Sequence, residues 1–244
     1  MKAMKVLMAL LLLGAAGYGG VIGWRSGPLK LRTVEVLGNQ RVSAPEIVGA
    51  SGLTRGSHLL ELSVRRIEKR MTSVPWVKRA RAERILPSKV RITVVERKAV
   101  LIAVLGSRSY LVDDEGVVLE EVVQDDPAQV DSAGARDLMI VTSLPLESIE
   151  PGEKIDLAQF DDVLTISRQL PSDLRARVVE VRAASIDRIA LLLDDSVLVI
   201  YGAAEEIEDK NHAIVSIIEK SKAQGRPLRS IDVRVPTRPA VRVS

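Results

Sequence analysis

An uncharged apolar run near the N-terminus, from Val6 to Trp24, constrains the fold of this chain more than any other sequence feature. At a rise of about 1.5 Å per residue, a helix over this run reaches roughly 28 Å, close to the hydrocarbon thickness of a bilayer. Trp24 followed by Arg25 is typical of an interfacial anchor. The run therefore predicts a transmembrane helix over residues 6–24, preceded by a cytoplasmic tail over residues 1–5.

A cleaved signal peptide is the alternative interpretation of this segment. Lys2 and Lys5 form a basic region before the apolar run, and small residues from Ala15 onward suit a cleavage site. The apolar run continues past those small residues through Ile22, which favours a retained anchor. Basic residues flank the run on both sides, so their distribution alone does not decide the orientation of the helix. The orientation is instead indicated by the short tail before the run and the long folded part after it. They favour a cytoplasmic N-terminus and periplasmic or extracellular C-terminal domains.

Three small residues, Ala15, Gly19 and Gly23, recur at every fourth position and would share one stripe of the membrane helix. Such a stripe lets a second transmembrane helix approach closely. Small residues are also tolerated on a lipid-facing surface, so both interpretations stay open. The three residues are candidates for packing within the membrane.

The composition excludes several classes of protein. The net charge of +3 arises from 35 basic and 32 acidic side chains, and aromatic residues make up 2% of the chain, which argues against a nucleic-acid binder. The absence of cysteine excludes disulfides and thiolate metal sites. Only His58 and His212 are histidines, too few for a histidine-rich metal site. No cofactor or metal is expected.

The part of the chain after the apolar run begins with the pattern of a strand followed by two helices. Alternating Val34 and Val36 end in a turn, and Ser43 with Glu46 forms a capping box at the start of a short helix. A second helix follows over residues 63–74, with its apolar side chains on one face and its Arg and Lys on the other.

Residues 75–97 contain seven Lys and Arg against two Glu. Two β-prone runs meet at residues 86–88, and apolar and polar side chains alternate along the second run, which predicts an antiparallel hairpin. The basic residues then project from the solvent face, where Glu83 and Glu96 partly neutralise them. Attraction to an anionic membrane or a cell-wall polymer is the alternative role of this face.

The remainder of the chain predicts a second, strand-rich domain. Short strands separated by turn signals alternate with helices over about residues 157–170 and 204–223, and the polar segment 124–137 is typical of a surface loop. Two final strands are expected over Ser230–Val235 and Pro239–Val243. Both domains together predict an α+β protein.

The chain lacks the motifs of the common catalytic sites. It contains no Gly-x-Ser-x-Gly, no Walker loop and no His-Glu-x-x-His. Carboxylate pairs such as Asp113 and Asp114 are neighbours in sequence, and neighbouring side chains diverge in a strand or a helix. The sequence therefore predicts a binding protein rather than an enzyme.

The order of elements and four sequence fragments resemble the FtsQ/DivIB family of bacterial cell-division proteins. The fragments, in chain order, are VLGNQRVSAPEI, VPWVKRARAERILPSKVRITVVERK, YLVDDEGVVLE and RSIDVRVPTRPAVRV. The resemblance implies a linker over residues 25–32, a POTRA domain (β-α-α-β-β) over residues 33–98 and a mixed, strand-rich β domain with helices over residues 99–244. It implies a single-pass protein of the cytoplasmic (inner) membrane, located at the division septum.

The final strand is the candidate partner site. Pro239 lacks a backbone N–H, which suits an edge strand, and an edge strand can pair with another chain. The resemblance implies that this strand and its neighbour receive the bitopic coiled-coil partner FtsB, which pairs with FtsL, and that other divisome membrane proteins are further partners. The candidate residues are Arg234, Val235, Arg238, Ala240, Val241, Arg242 and Val243.

The sequence departs from the family at two positions. Family members often carry an aromatic residue directly after the Arg equivalent to Arg234 and another near the end of the strand, where this chain has Val235 and Val243. Aromatic residues supply large buried areas at low entropic cost. We therefore expect a weaker contact, or one that uses main-chain bonds and Arg238 or Arg242.

Two other functions fit the sequence less well. A POTRA-containing transport or secretion module would need a long series of alternating amphipathic strands, which this sequence lacks. A wall-modifying enzyme would need catalytic residues that are also lacking. The leading interpretation is a non-enzymatic scaffold.

Overall fold

The computed structural model describes residues 29–123 and 138–243. The predicted tail, the predicted membrane helix with its small-residue stripe and the predicted 124–137 loop lie outside these residues. Within the two described ranges, no helix has both the length and the apolar character that a membrane crossing requires. The chain divides into two compact units, unit 1 over Met1–Glu96 and unit 2 over Arg97–Ser244.

Unit 1 has the predicted order of strand, helix, helix, strand, strand. Its elements are β1 (Thr33–Leu37), α1 (Ala44–Ser51), α2 (Val64–Met71), β2 (Val77–Ile85) and β3 (Lys89–Glu96). The strands form a sheet in the order β1-β3-β2, in which β3 pairs parallel with β1 and antiparallel with β2.

The ends of α1 follow the predicted capping signals. The Ser43 hydroxyl accepts the backbone N–H of Glu46, which satisfies one of the unpaired donors in the first helical turn. Gly52 ends the helix with φ of 68°. The Arg70 guanidinium of α2 occupies the space that a Cβ at Gly52 would need, and it donates to the Ser51 carbonyl. Glycine at this position therefore permits both the left-handed turn and the contact between the two helices.

The core of unit 1 lies between the two helices and one face of the sheet. Ile67 and Met71 of α2 are buried, as are Val90, Ile92 and Val94 of β3, which alternate along the strand as the sequence predicts. Because successive side chains of a strand point to opposite faces, the intervening Arg91 and Thr93 lie on the other face of the sheet.

Glu96 has a role that its place beside the basic residues did not predict. Its carboxylate accepts the backbone N–H groups of Gln40, Arg41 and Val42 at 2.9–3.0 Å, so it holds the loop before α1. On the open face of the sheet, Glu35 instead pairs with Lys89 and Arg91, while Glu83 pairs with Arg81 as predicted. Sequence spacing could not reveal this, because Glu35 lies far from both of its partners along the chain.

The folded part of unit 1 begins before β1, within the segment assigned to the linker. Leu31 is fully buried and exchanges backbone hydrogen bonds with the loop after α1: its N–H donates to the Ser57 carbonyl, and its carbonyl accepts from Gly56. The Leu29 carbonyl accepts the N–H of Leu59. Residues 29–32 are therefore part of the packed unit.

The described part of unit 2 contains one mixed sheet of nine strands. Its elements are β4 (Ala99–Leu105), β5 (Arg108–Asp113), β6 (Val118–Val122), β7 (Met139–Thr142), α3 (Ala158–Gln169), α4 (Ser172–Arg175), β8 (Val178–Ala183), β9 (Ile189–Leu193), β10 (Leu198–Ile200), α5 (Ile207–Gln224), β11 (Leu228–Asp232) and β12 (Ala240–Val243). The strand order is β12-β11-β10-β9-β8-β7-β4-β5-β6.

Helices α3 and α5 connect parallel strand pairs and contribute to the core. α3 lies between β7 and β8 in sequence, and α5 between β10 and β11; both strand pairs are parallel, which requires such crossover connections. Phe160 of α3 and Ile214 of α5 are fully buried in the apolar cluster of unit 2. This packing fixes the last three strands.

A buried carboxylate organises the turn between β5 and β6. Asp113 is fully buried, and one of its oxygens accepts the backbone N–H groups of Glu115 and Val117 at 2.9 and 2.8 Å. The other oxygen pairs with Arg97, which also pairs with Glu115 at 2.7 Å. Asp113 therefore ties the start of unit 2 to the β5–β6 turn.

Candidate docking surface at the last strand

The last strand, β12, lies at the edge of the nine-stranded sheet. It pairs antiparallel with β11, with Val241 opposite Ile231 and Ala240 opposite Asp232, and no other strand of residues 97–123 or 138–243 flanks it. All four of its residues are exposed. The backbone groups on its outer side are therefore available for pairing with an added strand.

The two faces of β12 border different grooves. Val241 and Val243, with exposed fractions of 42% and 55%, line a cavity of about 300 Å³ together with Ile217 of α5 and Leu228 of β11. Ala240 and Arg242 line a cavity of about 390 Å³ on the other face. The other residues of that second cavity are Ser196, Leu198, Ile200, Arg229, Ser230 and Asp232. The first groove is completed by Lys220, Ser221, Gln224 and Arg226, so it combines four apolar with four polar side chains. The second groove is also mixed, and its charged side chains are Arg229, Asp232 and Arg242.

The connection from β11 to β12 begins earlier than the sequence predicts. β11 ends at Asp232 rather than at Val235, because the Asp232 carboxylate accepts the backbone N–H of Arg234 and turns the chain. Val235 and Arg238 are therefore loop residues; the N–H of Arg238 donates to the Val235 carbonyl, and Val235 is exposed.

Arg234 already has an ionic partner within the chain. Its Nε and Nη2 atoms donate to the two oxygens of Asp232 at 3.1 and 2.7 Å. The hydrogen bond from this guanidinium holds the pKa of the Asp232 carboxyl below its usual value. An acidic partner could use only the remaining N–H groups of Arg234 or would have to displace Asp232.

A buried polar cluster supports the segment beneath Arg234. The Tyr201 hydroxyl hydrogen-bonds to the Asn211 side chain at 3.1 Å, and the Lys210 ammonium donates to the Ala203 carbonyl at 2.8 Å. Burial raises the pKa of the Tyr201 hydroxyl and lowers the pKa of Lys210. Gly202 has φ of 73°, and the Cγ of Arg234 lies 3.0 Å from the position that a Cβ at Gly202 would take. The cluster fixes the loop on which Arg234 rests.

The structure brings some of the predicted site residues together and separates others. Ala240, Val241, Arg242 and Val243 form the strand, whereas Arg234, Val235 and Arg238 belong to the loop before it. Sequence reasoning missed the contribution of α5, whose Ile217 is only partly buried beside fully buried Ile214. The sequence did carry a signal for this contribution, because the apolar stripe on α5 is wider than the face that is buried in the core.

No metal site accompanies this surface in the part of the chain that the structure describes, where no group of three or more His, Asp or Glu side chains could hold an ion. The two histidines belong to different units, His58 to the loop before α2 in unit 1 and His212 to α5 in unit 2. The arrangement supports strand pairing and side-chain docking.

Both units match known protein families. The family described as "POTRA domain, FtsQ-type" matches residues 29–97, and the family described as "Cell division protein FtsQ/DivIB, C-terminal" matches residues 102–234. The first match begins at residue 29, which is also the first residue of unit 1 that the structure describes. The second covers more than half of the chain.

Curated relatives match over nearly the whole chain. Proteins named "Cell division protein FtsQ" from Mycobacterium leprae and Mycobacterium tuberculosis H37Rv are each 26% identical over 99% of this chain. The protein of the same name from Anaeromyxobacter sp. strain K is 25% identical over 99% of it. The chain spans 64%, 70% and 81% of the lengths of these three relatives, respectively.

Proposed function

Because the chain belongs to the FtsQ/DivIB family of cell division proteins, we propose that it is a non-enzymatic, single-pass membrane scaffold of the bacterial divisome. The proposed anchor is the apolar run over residues 6–24, with the N-terminus in the cytoplasm and both folded units on the other side of the inner membrane. Its place of action is the division septum.

The scaffold binds FtsB- and FtsL-type division proteins at β12. The observation that carries this proposal is the edge position of β12, with exposed residues and an unpaired outer side in the described structure. A partner segment in extended conformation adds a tenth strand to the sheet, and its backbone N–H and C=O groups pair with those of β12.

The two grooves define the side chains that such a segment needs. Side chains of an added strand alternate between the two faces, so every second one points toward the groove at Val241 and Val243 and the others toward the groove at Arg242. The side chains of the first set that contact Val241 and Val243 are apolar. The second face carries two cations, Arg229 and Arg242, and one anion, Asp232, so its net charge is positive. The second set of side chains therefore includes at least one acidic residue.

Binding through β12 alone is modest, since no aromatic anchor occupies this strand. Anchoring in the same membrane raises the effective concentration of single-pass partners, so several weak contacts suffice for assembly. The scaffold thereby supports septum assembly while other proteins carry out the chemistry.

Recruitment in dividing cells tests this function. With the full chain fused to a fluorescent protein, we expect the fusion and a labelled FtsL-type partner to gather at midcell. Deletion of residues 236–244 removes β12 and is expected to abolish septal recruitment of the partner, while the truncated chain stays in the membrane. Unchanged partner recruitment would contradict docking at β12, and an even membrane distribution of the full chain would contradict the divisome role.

A further inference from the structure

The small net charge of the chain conceals a strong division between its two units. Residues 29–96 carry 14 Lys and Arg against 6 Asp and Glu, a net charge of +8. Residues 97–244 carry 18 against 26, a net charge of −8. A charge of this size on a unit as small as the first attracts anionic surfaces.

The cations of unit 1 differ in whether they are already paired. On the open face of the sheet, Arg81, Lys89 and Arg91 form ion pairs with nearby glutamates. The exposed face of α2 carries Arg65, Arg66 and Lys69, and none of the three has an ion-pair partner among residues 29–123 and 138–243. The acidic residue within α2, Glu68, accepts the backbone N–H of Ala82.

These unpaired cations lie near the point where the chain enters unit 1. The Leu29 carbonyl accepts the N–H of Leu59, five residues before α2 begins, so the first described residues run beside the loop that leads into this helix. Lys30 and Arg32, on either side of buried Leu31, are exposed there, as is Arg55 of the same loop. We call Lys30, Arg32, Arg55, Arg65, Arg66 and Lys69 the basic surface.

The sequence keeps this surface close to the proposed anchor. Five residue steps separate Trp24 from Leu29, which at full extension span about 18 Å. The point where the chain enters unit 1 therefore stays within roughly two Debye lengths of the headgroups, each about 8 Å at physiological ionic strength. A short movement of unit 1 toward the membrane brings the basic surface within one Debye length, where attraction to the headgroups is no longer largely screened.

We propose that unit 1 lies on the membrane that anchors the chain, with the basic surface bound to anionic phospholipid headgroups. The inference rests on the proposed anchor over residues 6–24. Ile67 and Met71, the apolar residues of the α2 face opposite the cations, are buried in the core and are not available for insertion. The contact is therefore peripheral and electrostatic, and it weakens as salt is added.

Energy transfer in nanodiscs measures this contact with the full chain. The chain has no cysteine, so Thr54→Cys, at an exposed position of the loop before α2, gives a single site for a donor dye. The acceptor is carried on lipid headgroups. We expect higher transfer in discs of equal parts phosphatidylglycerol and phosphatidylcholine than in discs of phosphatidylcholine alone. The difference should decrease at about 0.5 M salt, where screening shortens the Debye length.

Two charge-matched variants locate the contact. Arg65→Gln, Arg66→Gln and Lys69→Gln together are expected to lower the ratio of docked to undocked protein by roughly 100-fold, at about fivefold for each cation. Arg79→Gln, Arg81→Gln and Lys89→Gln remove the same charge from the open face of the sheet and are expected to change this ratio by less than about threefold. Glutamine preserves helix propensity, so the first variant folds normally.

The outcomes separate this inference from the function on which it rests. Equal energy transfer in both lipid mixtures, or equal losses of docking in the two variants, would contradict lipid binding by the basic surface. Either result would leave the proposed anchor and the proposed docking strand unaffected. Failure of the chain to enter nanodiscs would contradict the proposed anchor and this inference with it. A salt-sensitive, phosphatidylglycerol-dependent signal lost only in the α2 variant supports it.

Discussion

Replacement of Val241 by Asp is expected to weaken binding of an FtsB-type partner segment by about 100-fold. Val241 lines a groove with Val243, Ile217 and Leu228. An added strand would cover this groove, so the change replaces the apolar contact of the valine with a carboxylate that loses its water on binding. Truncation or charge at the centre of an interface commonly costs about 2–4 kcal/mol, roughly 30- to 1,000-fold in affinity. Titration of the full chain with the partner measures the effect.

Val179→Asp provides the matched control for this variant. Val179 is a valine of β8 in the same sheet, with an exposed fraction of 46% against 42% for Val241. β8 lies four strands from β12, about 19 Å at the usual strand spacing. The control therefore introduces the same charge and the same change in strand propensity at a position outside the groove. Similar losses of affinity in both variants would contradict docking at β12.

The second large effect is expected in the stability of unit 2. Asp113→Ala should lower the free energy of unfolding of unit 2 by about 3 kcal/mol. The change leaves the backbone N–H groups of Glu115 and Val117 without their acceptor. It also removes one of the two carboxylates that pair with Arg97. Hydrogen exchange of amides in β4 and β5 measures unit 2 separately from unit 1.

Glu115→Ala is the comparison for this stability effect. Glu115 pairs with the same Arg97 but is half exposed, and exposed pairs contribute about 1 kcal/mol or less. We therefore expect a change in exchange protection several times smaller than for Asp113→Ala. Equal effects of the two changes would show that the ion pair with Arg97, rather than the buried acceptor at Asp113, stabilises the turn.

Local signals made unit 1 predictable from sequence. The Ser43 cap and the apolar alternation of β3 are encoded within a few residues, and both are confirmed in the structure. The partner of Glu96 was not predictable, because the loop that it binds lies at the opposite end of unit 1 in sequence. The start of the packed unit was also missed, since burial of Leu31 depends on backbone pairing with Ser57.

The sheet of unit 2 depends on contacts between distant parts of the chain. Each strand has a local pattern, but the parallel pairings of β4 with β7 and of β7 with β8 join segments that are far apart in the chain. The edge position of β12 was anticipated from Pro239 and the end of the strand pattern. The turn at Asp232 and Arg234 was not, because a side chain rather than a glycine or proline ends β11.

Photo-crosslinking from position 241 in dividing cells tests docking at β12 most directly. A photoreactive residue in place of Val241, in the full-length chain, is compared with the same residue in place of Val179. We expect a covalent adduct with an FtsB-type division protein from position 241 and none from position 179. Adducts from both positions, or none with a division protein from position 241, would contradict this expectation.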